Sequence, residues 1–156
     1  MRPDPPRPIN TLRKESAVHK HILIPVALDH EDLVPSKIRV ARRLLGADGR
    51  ITLLTVLETV PGFVAEFVTV KSENHLTQRV RERLDKVAEG SEDIVTEVVS
   101  GKAGVRIAQY AEETDADLII IGSHHPAAQD YFLGSTASRV ARRAPCSVYI
   151  LRETPA

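Results

Sequence analysis

Apolar residues along this chain follow two alternating rhythms. Short continuous aliphatic runs occupy His21-Ile22-Leu23-Ile24-Pro25-Val26-Ala27, Ile51 to Leu57, Ile94 to Val99, Asp117 to Ile121 and Ser147 to Leu151. Such runs are the mark of strands buried on both faces. Between them, apolar side chains recur every three or four positions, the period of an amphipathic helix. Leu33 to Leu45 carries Ile38, Ala41 and Leu45 on one face, with Ser36, Lys37, Arg39, Arg42 and Arg43 on others. Leu76, Val80, Leu84 and Val87 form a second stripe, and Ile107, Ala108 and Ala111 a third. A last helix is expected over about Ser135 to Ala144, stopped by Pro145. Gly46 and Gly49 are read as ending the first helix and Gly90 the second, since glycine often follows a helix end. Gly101 to Gly104 reads as the turn from the third strand into its helix, and Pro61 to Val70 as irregular.

The resulting order is β-α-β-α-β-α-β-α-β. Continuous strands separated by helices predict an α/β fold, a parallel sheet with helices on both faces joined by right-handed crossovers. Ligands in such sheets bind beyond the carboxyl ends of the strands, at the point where strand order reverses. The candidate strand ends are Pro25-Val26-Ala27, Val56-Leu57 and Ile121-Gly122.

Composition narrows the picture. A chain of 156 residues suits one domain. With no Trp, three Phe and three Tyr, the core must be aliphatic. Residues 1–18 stand apart as a Pro- and Arg-rich tail, with Pro3, Pro5, Pro6 and Pro8 among Arg2, Arg7, Arg13 and Lys14; the folded domain is expected over 19–153. Lys plus Arg equals Asp plus Glu, 21 each, which argues against non-specific nucleic-acid binding. No apolar run approaches the roughly 20 residues of a membrane span, and the first residues lack the apolar stretch of a secretory signal. The single cysteine, Cys146, excludes an internal disulfide framework and fits a reducing, cytoplasmic setting.

Two Gly-Ser corners carry the candidate chemistry. Gly122-Ser123 leaves the fourth strand, where a residue without Cβ permits an unusual backbone angle and close ligand approach. Gly134-Ser135-Thr136 enters the last helix, whose first N–H groups and positive dipole end suit an anion. Together they could frame a nucleotide. The plainer alternatives are a turn at Gly122 and an N-cap at Ser135. No Walker A pattern and no G-x-G-x-x-G after the first strand occurs. His124 and His125 are adjacent and lack a carboxylate or Cys cluster, so a metal site is not indicated. Arg139, Arg142 and Arg143 read as a solvated helix face, and Cys146 as a small buried hydrophobe.

The segments HKHILIPV, ITLLTVLE, GVRIAQYAEETDADLIIIGSHH and FLGSTASRVARRAPCSVYILR resemble the universal stress protein family over roughly residues 19 to 152. The resemblance implies a Rossmann-like five-stranded sheet in the order 3-2-1-4-5. ATP-binding members carry G-x2-G-x9-G-[ST]. Here His125 stands in place of the second glycine, and eight residues, Pro126 to Leu133, precede Gly134-Ser135. The stretch from His125-Pro126 to Tyr131-Phe132-Leu133-Gly134-Ser135 is closest to the F/G-type bacterial subset, which still binds adenine nucleotide. The family's Asp near the adenosine falls on Ala27, and Asp29 is the nearest acid, either a ribose contact or a helix-entry residue.

The resemblance thus implies a cytoplasmic stress-response protein binding ATP, or AMP or ADP, with or without Mg²⁺. The implied nucleotide-binding residues are Pro25, Val26, Asp29, Val56, Gly122, His124, His125, Gly134, Ser135 and Thr136. Val26 and Val56 are expected to meet the base, and Gly134 to Thr136 the phosphates. It also implies a homodimer through strand 147–151, whose Val148, Tyr149 and Ile150 would lie at an open edge. Two other readings remain: a regulatory dimer without nucleotide, and a slow ATPase or autophosphorylating protein. For the last, no general base or carboxylate pair for Mg²⁺ stands out.

Overall fold

The computed structural model describes residues 19–28, 31–58, 70–88, 90–123 and 133–152, without the side chains of 70–73. Five strands, β1 (His19–Pro25), β2 (Leu45–Leu57), β3 (Ile94–Ser100), β4 (Leu118–Ser123) and β5 (Ser147–Arg152), form one sheet in the order β3-β2-β1-β4-β5. Every recorded strand pairing is parallel. Among the described residues four α-helices connect them: α1 (Val34–Leu44), α2 (Val70–Ala88), α3 (Ala103–Glu113) and α4 (Ser135–Arg143), with a 3-10 turn at Glu31–Leu33 ahead of α1.

The period of two along each strand sorts the core into two layers. Ile22, Ile24, Ile51, Leu53, Leu118 and Ile120 face Val34, Ile38, Ala41, Val80 and Leu84 of α1 and α2. Leu23, Leu54, Ile119 and Ile121 face Ile107, Ala111, Ala137 and Val140 of α3 and α4. Ile22, Leu23 and Ile24 are wholly buried at the centre of the sheet, each contributing about 1.5–3 kcal/mol of burial. The order 3-2-1-4-5 and the helices on both faces agree with expectation.

Some local readings need correction. Helix α1 ends at Leu44 on an extended Leu45 (φ −79°, ψ 135°), not on a left-handed glycine. Strand β2 begins at once, because Leu45 pairs with His19; the register then slips until Arg50 pairs with His21, and Gly46 to Gly49 are taken up in that irregularity. Gly90, by contrast, has φ +76° beyond α2, as expected of a helix stop. Helix α2 starts before its apolar stripe, and Leu76 is half exposed (51 %), while Val80 and Leu84 are buried. Arg139 is more than a solvated charge: a Cβ on Gly104 would lie 2.6 Å from its Cβ, so that glycine lets α3 and α4 cross closely. The tail, residues 1–18, lies outside the described residues, as does most of the Pro61–Val70 stretch.

The amino ends of the strands are tied by polar contacts. Asp117 accepts from the backbone N–H of Lys20 (2.8 Å) and pairs with His19 (3.3 Å). The buried His21 ring lies 2.8 Å from Thr52 Oγ1 at Nε2 and 3.1 Å from the Thr114 carbonyl at Nδ1.

Candidate functional site

At the carboxyl ends the sheet opens between β1 and β4, where strand order reverses. The recorded β1–β4 ladder pairs Ile22 with Leu118 and Leu23 with Ile119. Pro25 lies past these pairs and has no N–H to extend a ladder. The crevice beyond is a cavity of about 320 Å³. Pro25 and Ala27 line it from β1 and the turn after it, Leu54 and Val56 from β2, and Ile121 and Gly122 from β4. Leu33 and Lys37 close it from the α1 side, Ala103 and Ile107 from α3, and Gly134 to Ala137 from α4. Its volume falls at the small end of ordinary ligand pockets, and its walls are mostly apolar with a few polar groups, as such pockets usually are.

The α4 end supplies donors. Gly134 is the N-cap (φ −51°, ψ 157°), and no side chain caps the helix. The first intrahelical bond runs from the Ser138 N–H to the Gly134 carbonyl (2.9 Å). The N–H groups of Ser135, Thr136 and Ala137 therefore have no partner within the helix. Ser138 Oγ donates to the Leu133 carbonyl (3.0 Å) and so holds the entering chain. Among the described residues, a Cβ on Gly134 would meet nothing within 4 Å. The alternative of Ser135 as a capping residue is thus overturned: Ser135 is the first helical residue and is exposed.

The other corner behaves differently from expectation. Gly122 is a regular strand residue opposite Leu151 and lacks a positive φ. What favours a small residue is close approach: a Cβ would lie 3.3 Å from Leu33 Cδ1, 3.3 Å from Lys37 Cε and 3.6 Å from Lys37 Nζ.

The structure gathers Pro25, Val56, Gly122, Gly134, Ser135 and Thr136 around the one cavity. Val26 is turned away from it. Its side chain is buried in the α1–α2 layer, its N–H donates to the Leu54 carbonyl (2.8 Å) and its carbonyl accepts from Thr55 Oγ1 (3.0 Å). Asp29, His124 and His125 lie outside the described residues.

Lys37, taken from the sequence as an outer-face residue, is instead 6 % exposed and lines the cavity. Its ammonium donates to the Pro25 carbonyl (3.2 Å). Burial pushes its pKa down from the ordinary lysine value, partly opposed by the Asp32 carboxylate. The signal was present: Leu33, Lys37 and Ala41 recur every four residues, so Lys37 shares the buried face of α1 with them. Cys146 is half-buried beside the α3–α4 layer, and burial raises its thiol pKa, in keeping with a packing role. Among the described residues no cluster of three or more His, Cys, Asp or Glu could hold a metal ion. No helix there is long and apolar enough to cross a membrane.

Comparison with known proteins gives a consistent result. The model of the universal stress protein family matches residues 19–152. Universal stress protein G of Salmonella typhimurium is 34 % identical over 144 residues, spanning 86 % of this chain and 100 % of the relative. The solved universal stress protein UspA from Lactobacillus plantarum superposes with a TM-score of 0.63 at 24 % identity, covering 85 % of this chain and 97 % of that one. A solved universal stress protein in complex with cAMP superposes with a TM-score of 0.55 at 19 % identity, over 85 % of this chain and 96 % of that one. A strand order of 3-2-1-4-5, a crevice at its switch point and a family match spanning nearly every described residue lead to one conclusion: this chain belongs to the universal stress protein family.

Proposed function

We propose that this protein is a cytoplasmic stress-response homodimer that binds ATP, or the related AMP or ADP, in the switch-point cavity. The observation that carries the reading is the start of α4, which has no side-chain cap among the described residues and whose Gly134, Ser135 and Thr136 line that cavity. Unfilled N–H groups, two hydroxyls and the positive helix end suit phosphate. The apolar walls, Val56 and Ile107 among them, suit a flat base. That a family member has been solved with cAMP supports an adenine nucleotide as the ligand class. A Mg²⁺ ion would enter on the phosphates, since the described residues offer no carboxylate cluster of their own. Among the described residues that line the cavity there is no His, Asp or Glu to serve as general base.

Strand β5 is an edge strand, paired on one side to β4, with Tyr149 40 % exposed; pairing with a second copy would cover it. A regulatory dimer without nucleotide is favoured by two features of the sequence, the absence of a carboxylate at Ala27 and the altered glycine motif, with His125 in place of the second glycine and eight residues before Gly134. The decisive experiment is to denature protein purified without added nucleotide and identify what it releases, then titrate the emptied protein with ATP in a calorimeter. Released or titrated adenine nucleotide supports the proposal; absence of both refutes it. Phosphate release over hours with added ATP would move the reading to a slow ATPase.

A further inference from the structure

We infer that Lys37 is an anion-recognising residue of the cavity, its ammonium contacting a phosphate oxygen of the bound nucleotide. The inference rests on the nucleotide reading of this cavity. Lysine is almost never so deeply buried unless paired. Yet among the described residues no ion pair involves Lys37, and its one hydrogen bond is to the Pro25 carbonyl. An ammonium has three donors, and among the described residues only one of them is taken, at a residue that lines the cavity. Ala27, which also lines the cavity, brings no charge, and the Asp32 carboxylate that acts on Lys37 forms no ion pair with it.

The position is built rather than incidental. The stem of Lys37 passes over Gly122, where an added Cβ would lie tight against Cε, at 3.3 Å. The glycine at the end of β4 thus clears the path by which α1 delivers a charge to the crevice. Holding a cation out of water costs free energy, which an incoming anion restores. Helix α4 presents its positive end to the same cavity. Two positive features within about 320 Å³ make a compact phosphate group the fitting occupant.

The competing explanation is that Lys37 only caps the Pro25 carbonyl. The two roles differ in what they do to ligands with and without phosphate. Lys37→Met and Lys37→Gln in the full chain are to be titrated calorimetrically with ATP, AMP and adenosine, and melted without ligand. Lys37→Met is expected to weaken ATP and AMP about 10- to 100-fold and to leave adenosine nearly unchanged. Lys37→Gln, which keeps a donor for Pro25, should show the same selective loss, and it decides the matter if the Met variant does not fold. An equal loss for adenosine and ATP, or a lowered melting temperature with affinities intact, would overturn the inference and leave nucleotide binding standing. A wild-type protein that binds none of the three would overturn both.

Discussion

Gly134→Val is expected to separate binding from folding. The backbone at Gly134 (φ −51°, ψ 157°) is open to any residue, and a Cβ there meets no described atom within 4 Å. No side-chain cap is lost, because none exists. The weaker N-cap preference of valine is opposed by the reduced freedom of the unfolded chain, so the net change should stay within about 1 kcal/mol. For a chain of this size that is a shift of roughly 2–4 °C in melting temperature. Binding should respond far more strongly. The isopropyl group adds bulk at the residue directly preceding the Ser135 and Thr136 N–H groups. If it displaces phosphate from two charge-assisted bonds, at about 1.5–3 kcal/mol each, affinity for ATP falls by at least about a hundredfold. Calorimetry with ATP, alongside a thermal melt and circular dichroism, reads both quantities. A folded Gly134→Val protein that binds ATP as tightly as wild type would refute the assignment of this corner to phosphate.

Other substitutions test the remaining links. Tyr149→Asp should yield monomers in light scattering where wild type is dimeric; it is a cleaner probe than a charge at Ile150, which packs against the α3–α4 layer, and a monomeric wild type would end the dimer proposal. Ala27→Asp sets a carboxylate at the Lys37 end of the cavity and should narrow the affinity gap between ATP and adenosine about tenfold; an unchanged gap would mean that neither group is near phosphate. His21 should make the fold acid-sensitive. Burial lowers its pKa below 6.5, the pull of the Thr114 carbonyl opposing and the nearby Arg50 adding to the effect. The unfolded chain therefore takes up the proton first, and stability falls as pH drops below about 6.5 until the folded pKa is passed. Melting temperatures between pH 7.5 and 5 should fall more steeply for wild type than for His21→Gln; equal slopes would show that His21 does not carry this dependence.

Much of the architecture was legible in one dimension, because burial on both faces leaves a parallel strand uninterrupted by polar residues. Ile22 to Ile24 and Leu118 to Ile121 announce themselves in this way. The start of α4 was legible too, since Gly134-Ser135-Thr136 directly precedes a helical period. From the alternation of strands and helices alone, several strand orders remain open; 3-2-1-4-5 came from the resemblance, and the pairing of β1 with both β2 and β4 bears it out. Tertiary structure decided the rest. Helix α1 ends where Leu45 finds a partner on β1, a pairing no local stop signal contains. Gly122 lies under Leu33 and under a lysine on α1, 85 positions away in the chain. The four-residue spacing of Leu33, Lys37 and Ala41 puts a charge on one face of a helix, but only the packing of that helix on the sheet determines whether the face meets water or a cavity. Local preference is written in neighbouring residues, whereas the desolvation of a charge depends on everything that folds around it.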